Sequence, residues 1–300
     1  MTRLGIRRRF YCFLFHNPEL RDELFATSYV VPQRMLAGIR STLFIYCLAV
    51  LISNLAVNVA HGAGWNWAAY FTTLTFFGIT LYYGFASYTT IAYAWKQQKI
   101  RTDGAAALVD SESASQSPPL SDIGEGYIKN SMPREIAQTQ PPSLAHQVAL
   151  ASQWILYESF TCFAPLVSLI YWALLFPTQN DILDSGLDTW MGVSMHALNS
   201  VLMLCEVGVF AKTPYRYSHF WILFVFLALY LGLAYFMVGV YGFYVYPFFD
   251  SRYFGGYIAL ICLLIIDIIA VVWVIMLMVH RLRDGLYPRW LLKRQRTTVF

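Results

Sequence analysis

Six separate stretches of this chain are each long and apolar enough to cross a bilayer as helices: residues 36–59, 70–95, 151–176, 191–211, 219–243 and 254–280. A hydrocarbon core about 30 Å thick takes about 20 helical residues. The expected fold class is an all-α membrane protein, a six-transmembrane helix bundle. Composition points the same way. Only 13% of the 300 residues are charged and 58% are hydrophobic, whereas soluble domains carry about 25% charged residues. The mean hydropathy is +0.49.

The basic residues set the orientation. Twenty of the 21 Lys and Arg lie before or in the first turns of the first span, between spans two and three, between spans four and five, or after the last span. The three alternate loops hold only Arg252. By the positive-inside rule both termini face the cytosol. Basic-aromatic repeats are absent, so no nucleic-acid partner is expected. The five cysteines, Cys12, Cys47, Cys162, Cys205 and Cys262, are scattered and read as small apolar residues. No metal or cofactor is expected. The first 35 residues read as a cytosolic segment whose Arg7, Arg8 and Arg9 lie towards lipid phosphate. Residues 102–146 are rich in Ser, Pro, Gln and acids and read as a disordered cytosolic insert. Residues 281–300 form a basic tail.

Ionisable residues at membrane depth mark functional candidates. They are Glu158 in span three, His196 and Glu206 in span four, and Asp267 in span six. At 100° per residue, Asn199 and Glu206 fall about 60° and 80° from His196, which gives span four one polar side. The axial rise puts Glu206 about 15 Å from His196. Glu206 therefore cannot orient the imidazole; Asn199 and Asp267 are the candidates. Thr72 lies in the first turn of span two and His196 in the second turn of span four. Both spans start on the non-cytosolic side, so a hydroxyl and an imidazole share one depth, as a nucleophile and a general base require. Thr73 points about 100° away from Thr72. Pro165 removes a backbone donor from span three.

Three blocks of sequence resemble the androgen-induced gene 1 family, six-span membrane proteins that include hydrolases of fatty acid esters of hydroxy fatty acids. The first is Tyr70-Phe71-Thr72 with Tyr83-Gly84 twelve residues on. The second is "WMGVSMHALNSVLMLCE", with Trp190, Met195, His196 and Glu206 in register. The third is "YVYPFF", Tyr244 to Phe249. The family's Leu is Phe71 here, and an additional family His is Val193. The resemblance implies a threonine nucleophile, Thr72, with a histidine partner, His196. Tyr70, Asn66 and Tyr246 are candidates for supporting roles.

Two function classes follow. One is an intramembrane hydrolase of lipid esters that takes its substrate sideways from the bilayer, with its site on the lumenal or extracellular side of the endoplasmic reticulum or plasma membrane. The other is a non-catalytic lipid-binding or carrier protein that uses Glu158, Glu206 and Asp267 as a polar track. Hydrolysis that depends on Thr72 and His196 separates them.

Overall fold

A computed structural model describes residues 21–114, 144–178 and 185–297, and every regular element among them is helical. A short helix α1 (Asp22–Ala26) precedes α2 (Gln33–Ala60). A 3-10 segment, Gly64–Ala69, leads into α3 (Phe71–Ala114). Then come α4 (Leu144–Ile170, continued by a wide turn Tyr171–Leu175), α5 (Gly186–Phe210) and α6 (Phe220–Tyr241). A short α7 (Ser251–Phe254) is followed by α8 (Tyr257–Thr297). The expectation of an all-α membrane protein holds.

Five segments are long and apolar enough to cross a membrane: Gln33–Ala60, Leu144–Leu175, Gly186–Phe210, Tyr217–Tyr241 and Tyr257–Arg289. The second of the six expected spans, on α3, is not among them. Its sequence is diluted by Thr72, Thr73, Thr75, Thr80, Ser87, Thr89 and Thr90, and by Tyr82 and Tyr83. The physical reason lies in packing. α3 is clasped between α2 and α4, and Phe76, Ile79, Tyr82, Tyr83 and Ala86 are fully buried. A face that meets protein instead of lipid can afford hydroxyls. Several return their hydrogen bond to the backbone one turn back: Thr80 Oγ1 to Phe76 O (2.9 Å), Ser87 Oγ to Tyr83 O (2.6 Å) and Thr90 Oγ1 to Ala86 O (2.6 Å).

The insert also begins later than the composition suggests. α3 continues to Ala114 and α4 starts at Leu144, so residues read as disordered at both edges are helical. The remainder of the insert, and the segment with Arg7, Arg8, Arg9 and Cys12, lie outside the described residues. α4 runs unbroken through Pro165.

One buried ion pair fastens the basic end of the bundle. Arg40 of α2 donates through Nη2 to Glu206 Oε1 of α5, and both side chains are completely buried. Tyr82 Oη of α3 donates to the same oxygen (2.8 Å). Arg40 Nη1 donates to Phe25 O (2.8 Å) and Thr90 Oγ1 (2.7 Å). Arg40 is therefore the partner of the membrane carboxylate, and one side chain ties α1, α2, α3 and α5 together.

α3 meets α4 closely at Gly78, where an added Cβ would fall inside the ring of Phe160. Gly78→Ala is thus expected to destabilise the fold by about 1–3 kcal/mol through overpacking. A thermal melt in detergent reads this, and Phe160→Leu in the same chain should recover much of the loss. An unchanged melt for Gly78→Ala would show that the two helices part without cost.

Candidate functional site

The site is built around the first turn of α3. Gly62 takes a left-handed conformation (φ 73°) that ends the excursion from α2, and Tyr70 is extended before the helix begins. The amide of Leu74 makes the first bond back, to Tyr70 O (3.1 Å). The amides of Phe71, Thr72 and Thr73 therefore precede the intrahelical ladder. The Phe71 amide donates to Tyr246 Oη (3.2 Å).

Tyr246 reaches that position because α6 ends sharply. Gly242 is left-handed (φ 64°), and Gly242 N and Phe243 N bond back to Val238 O (2.9 Å) and Met237 O (3.3 Å). This is the C-terminal arrangement that glycine favours. The chain then folds over the start of α3, with Val245 and Phe249 buried against Ala69, Tyr230 and Met237. Burial pushes the Tyr246 phenol above its usual range.

His196 comes from α5. That helix is capped by Ser185 Oγ, which accepts from Asp188 N (3.1 Å). It then opens into a wide i→i+5 turn at Ser194–Leu198. α4 has a wide turn of its own at Tyr171–Leu175. The imidazole of His196 lies flat on the Tyr171 ring, with centroids 3.4 Å apart and planes 7° apart. Trp172 Nε1 donates to the His196 carbonyl (2.9 Å). Tyr171 thus fixes the plane of the imidazole. Its Nδ1 is buried and has no hydrogen-bond partner among the described residues.

Two cavities meet here. One, of about 310 Å³, is walled almost wholly by apolar side chains of α3, α4, α6, α8 and the 246–249 segment, among them Val167, Leu227, Leu231 and Ile265. The other, of about 320 Å³, is as polar as it is apolar and holds Tyr70, Thr72, Thr73, His196, Asn54 and Asn58. Thr72, Tyr171, Leu175 and Tyr246 line both. Thr73 lines only the polar one, so it is nearer the chemistry than its helix angle suggests.

Of the expected site residues, Thr72, His196, Tyr70 and Tyr246 share the polar cavity. The others are elsewhere. Asn199 does not orient His196: its Oδ1 accepts from Ser168 Oγ (3.0 Å) and Ser200 N (2.7 Å), and its Nδ2 donates to Ala164 O (3.4 Å). The wide turn between the two residues breaks the 100° arithmetic on which that pairing rested. Asp267 does not orient it either; it is exposed on α8. Glu206 is held by Arg40 and Tyr82. Glu158 accepts from Trp154 Nε1 (2.7 Å) and Arg216 N (2.8 Å) and bonds with His219 Nδ1 (2.6 Å). None of the three acids lines either cavity at Thr72. Asn66 is buried in the 3-10 lead-in, and its Oδ1 has no partner among the described residues.

Residues that sequence reasoning passed over are Asn54, Asn58, Trp67 and Tyr171. Trp67 Nε1 donates to Asn54 Oδ1 (2.7 Å). Asn54 and Asn58, four apart in the first span, carry a signal that a search for ionisable groups alone ignores.

No group of three or more His, Cys, Asp or Glu among the described residues is arranged to hold a metal. Residues 143–283 match the family model described as FAR-17a/AIG1-like protein. That range includes His196 and Tyr246; Thr72 precedes it. No curated protein and no solved structure matches the chain.

Proposed function

We propose that the chain hydrolyses lipid esters within the membrane, with Thr72 as nucleophile and His196 as general base, a reading supported by the match of residues 143–283 to the FAR-17a/AIG1-like family model. The substrates suggested by the family resemblance are fatty acid esters of hydroxy fatty acids. One observation carries the reading: Thr72 stands where an apolar cavity and a polar cavity share a wall. A lipid ester has that same division, an acyl chain on one side of a polar linkage.

In this reading the acyl chain fills the apolar cavity and the carbonyl carbon faces Thr72 Oγ1. His196 takes the hydroxyl proton as Oγ1 attacks. The negative charge that develops on the carbonyl oxygen faces the amides of Thr72 and Thr73, at the positive end of α3. The tetrahedral species collapses, the ester C–O bond breaks, and the leaving alkoxide takes the proton from His196. Water in the polar cavity then gives a proton to His196 and attacks the acyl-threonine. The fatty acid leaves and the Thr72 hydroxyl is restored. Tyr246, bonded to the Phe71 amide, positions the first turn of α3. Tyr171 holds the imidazole plane. The excess of Lys and Arg at the other end of the bundle supports a lumenal or extracellular position for this end; the membrane proposed is that of the endoplasmic reticulum or the plasma membrane.

The test is release of fatty acid from a panel of lipid esters by the purified chain in detergent. Absence of release across the panel would reject the reading. The apolar cavity supplies a second expectation. Cys262 lines it from α8, and Cys262→Phe should shorten the space for the chain. kcat/KM should fall about tenfold for long acyl esters, the scale of a few misplaced methylenes, with little change for short ones. An equal fall for both lengths would place the acyl chain elsewhere.

A further inference from the structure

The roomiest of the cavities described lies at the opposite end of the bundle from Thr72. It measures about 640 Å³ and is formed by the start of α2 and the far part of α3. Its walls divide in two. Arg34, Arg101, Gln97 and Gln98 are polar, while Pro32, Ala37, Ile91 and Ala94 are apolar. Gln33 ties the floor together, donating through Nε2 to Ala26 O (2.9 Å) and Thr90 O (3.1 Å). The groove is therefore held by hydrogen bonds between α1, α2 and α3.

Depth identifies the layer it faces. Trp95 lies about 36 Å along α3 from Phe71, and Arg34 about 39 Å along α2 from Ala60, at 1.5 Å per residue. A hydrocarbon core of about 30 Å ends before both, in the headgroup region. Trp95, 74% exposed, stands where membrane proteins place interfacial aromatics. The charges are available. Lys96, nearby, is within 3.6 Å of Asp22, whereas Arg34 and Arg101 form no ion pair among the described residues.

We propose that this groove binds the headgroup of an anionic phospholipid from the leaflet at the basic end of the bundle, with the phosphate and carboxylate between Arg34 and Arg101 and an acyl chain along Ile91 and Ala37. Guanidinium groups suit phosphate oxygens by shape as well as charge. The amphipathic division of the walls selects a lipid over a soluble anion. The site is independent of ester hydrolysis, since it lies at the far end of the bundle.

Native mass spectrometry of the full chain, released from micelles doped with phosphatidylserine or phosphatidylcholine, tests the proposal. Phosphatidylserine adducts should survive conditions that strip phosphatidylcholine. The Arg34→Gln/Arg101→Gln variant should retain about 25-fold less phosphatidylserine, each surface guanidinium being worth about fivefold. The Arg34→Lys/Arg101→Lys variant should keep most of the retention, and Arg281→Gln, exposed at the same end but outside the groove, should keep all of it. A melt equal to wild type certifies that each variant is folded. Equal retention of the two lipids would overturn the proposal. So would full retention in the double glutamine variant, or displacement of phosphatidylserine by an equal concentration of inorganic phosphate.

Discussion

Thr72→Ala is expected to lower ester hydrolysis by a factor of about 10³ or more, the scale on which loss of a nucleophile or its base is felt. His196→Ala should do the same, and the two together should cost little more than either, because both act in one step. Thr72→Ser keeps the hydroxyl and should retain measurable turnover. Thr73→Ala should stay within a few-fold of wild type, although Thr73 also borders the polar cavity. A serine-hydrolase-type probe should label the wild type and Thr73→Ala but not Thr72→Ala. Melting temperatures close to wild type in all these variants separate chemistry from folding. Full activity of Thr72→Ala would end the nucleophile assignment. Loss of activity in Thr73→Ala with retention in Thr72→Ala would move the assignment by one residue.

The largest effect on stability is expected at the opposite end, at Arg40 and Glu206. Both are fully buried, so removal of one leaves the other charge without its counter-ion in a medium of low dielectric. Glu206→Ala leaves the guanidinium with Phe25 O and Thr90 Oγ1 alone. Such a loss costs about 3–5 kcal/mol. For a chain of this size that corresponds to a fall in melting temperature of roughly 10 °C. Arg40→Met should be comparable, since it strands the carboxylate with only Tyr82. The pair Arg40→Met/Glu206→Leu should melt above either single variant, because apolar side chains of similar volume remove both charges at once. Single variants that melt like wild type would show the pair to be solvated in the bilayer. Catalysis in the folded fraction should persist, as neither residue lines the cavities at Thr72.

The helical fold was legible wherever lipid contact dictated composition. The spans that present Leu, Ile and Val to lipid are plain in the sequence, and α8 is the most apolar of them. α3 is less plain because its partners are other helices, and its apolar demand is met by tyrosines and by threonines that fold back on the backbone. The site was legible in part. Thr72 and His196 could be placed at one depth from topology, because depth follows from counting residues along regular helices. Direction could not be had that way. The wide turns at Tyr171–Leu175 and Ser194–Leu198 break helical periodicity, and nothing in "SMHAL" announces one. Asn199, expected beside the imidazole, bonds instead to Ser168, Ser200 and Ala164 for that reason. Tyr171 was missed because its role is to stack on the imidazole, which needs no spacing rule. Arg40 is visible in the sequence as a residue in the first turns of the first span, but its partner is 166 residues away and no spacing rule joins the two.

The wide turns of α5 have a consequence for how this segment can vary. A second one, Glu206–Phe210, starts at the ion-paired carboxylate itself. Each such turn holds one residue beyond what regular α winding would need. The half of α5 that carries His196 and the half that carries Glu206 are thereby phased separately. Deletion of a single residue between 194 and 198 would draw this wide turn into regular α winding and move the side chains within it, His196 among them, around the helix axis. The imidazole would then leave Tyr171 while the carboxylate kept Arg40. The number of residues in this segment is thus as much a specification as their identity, and conservative substitutions should be tolerated there far better than a one-residue gap.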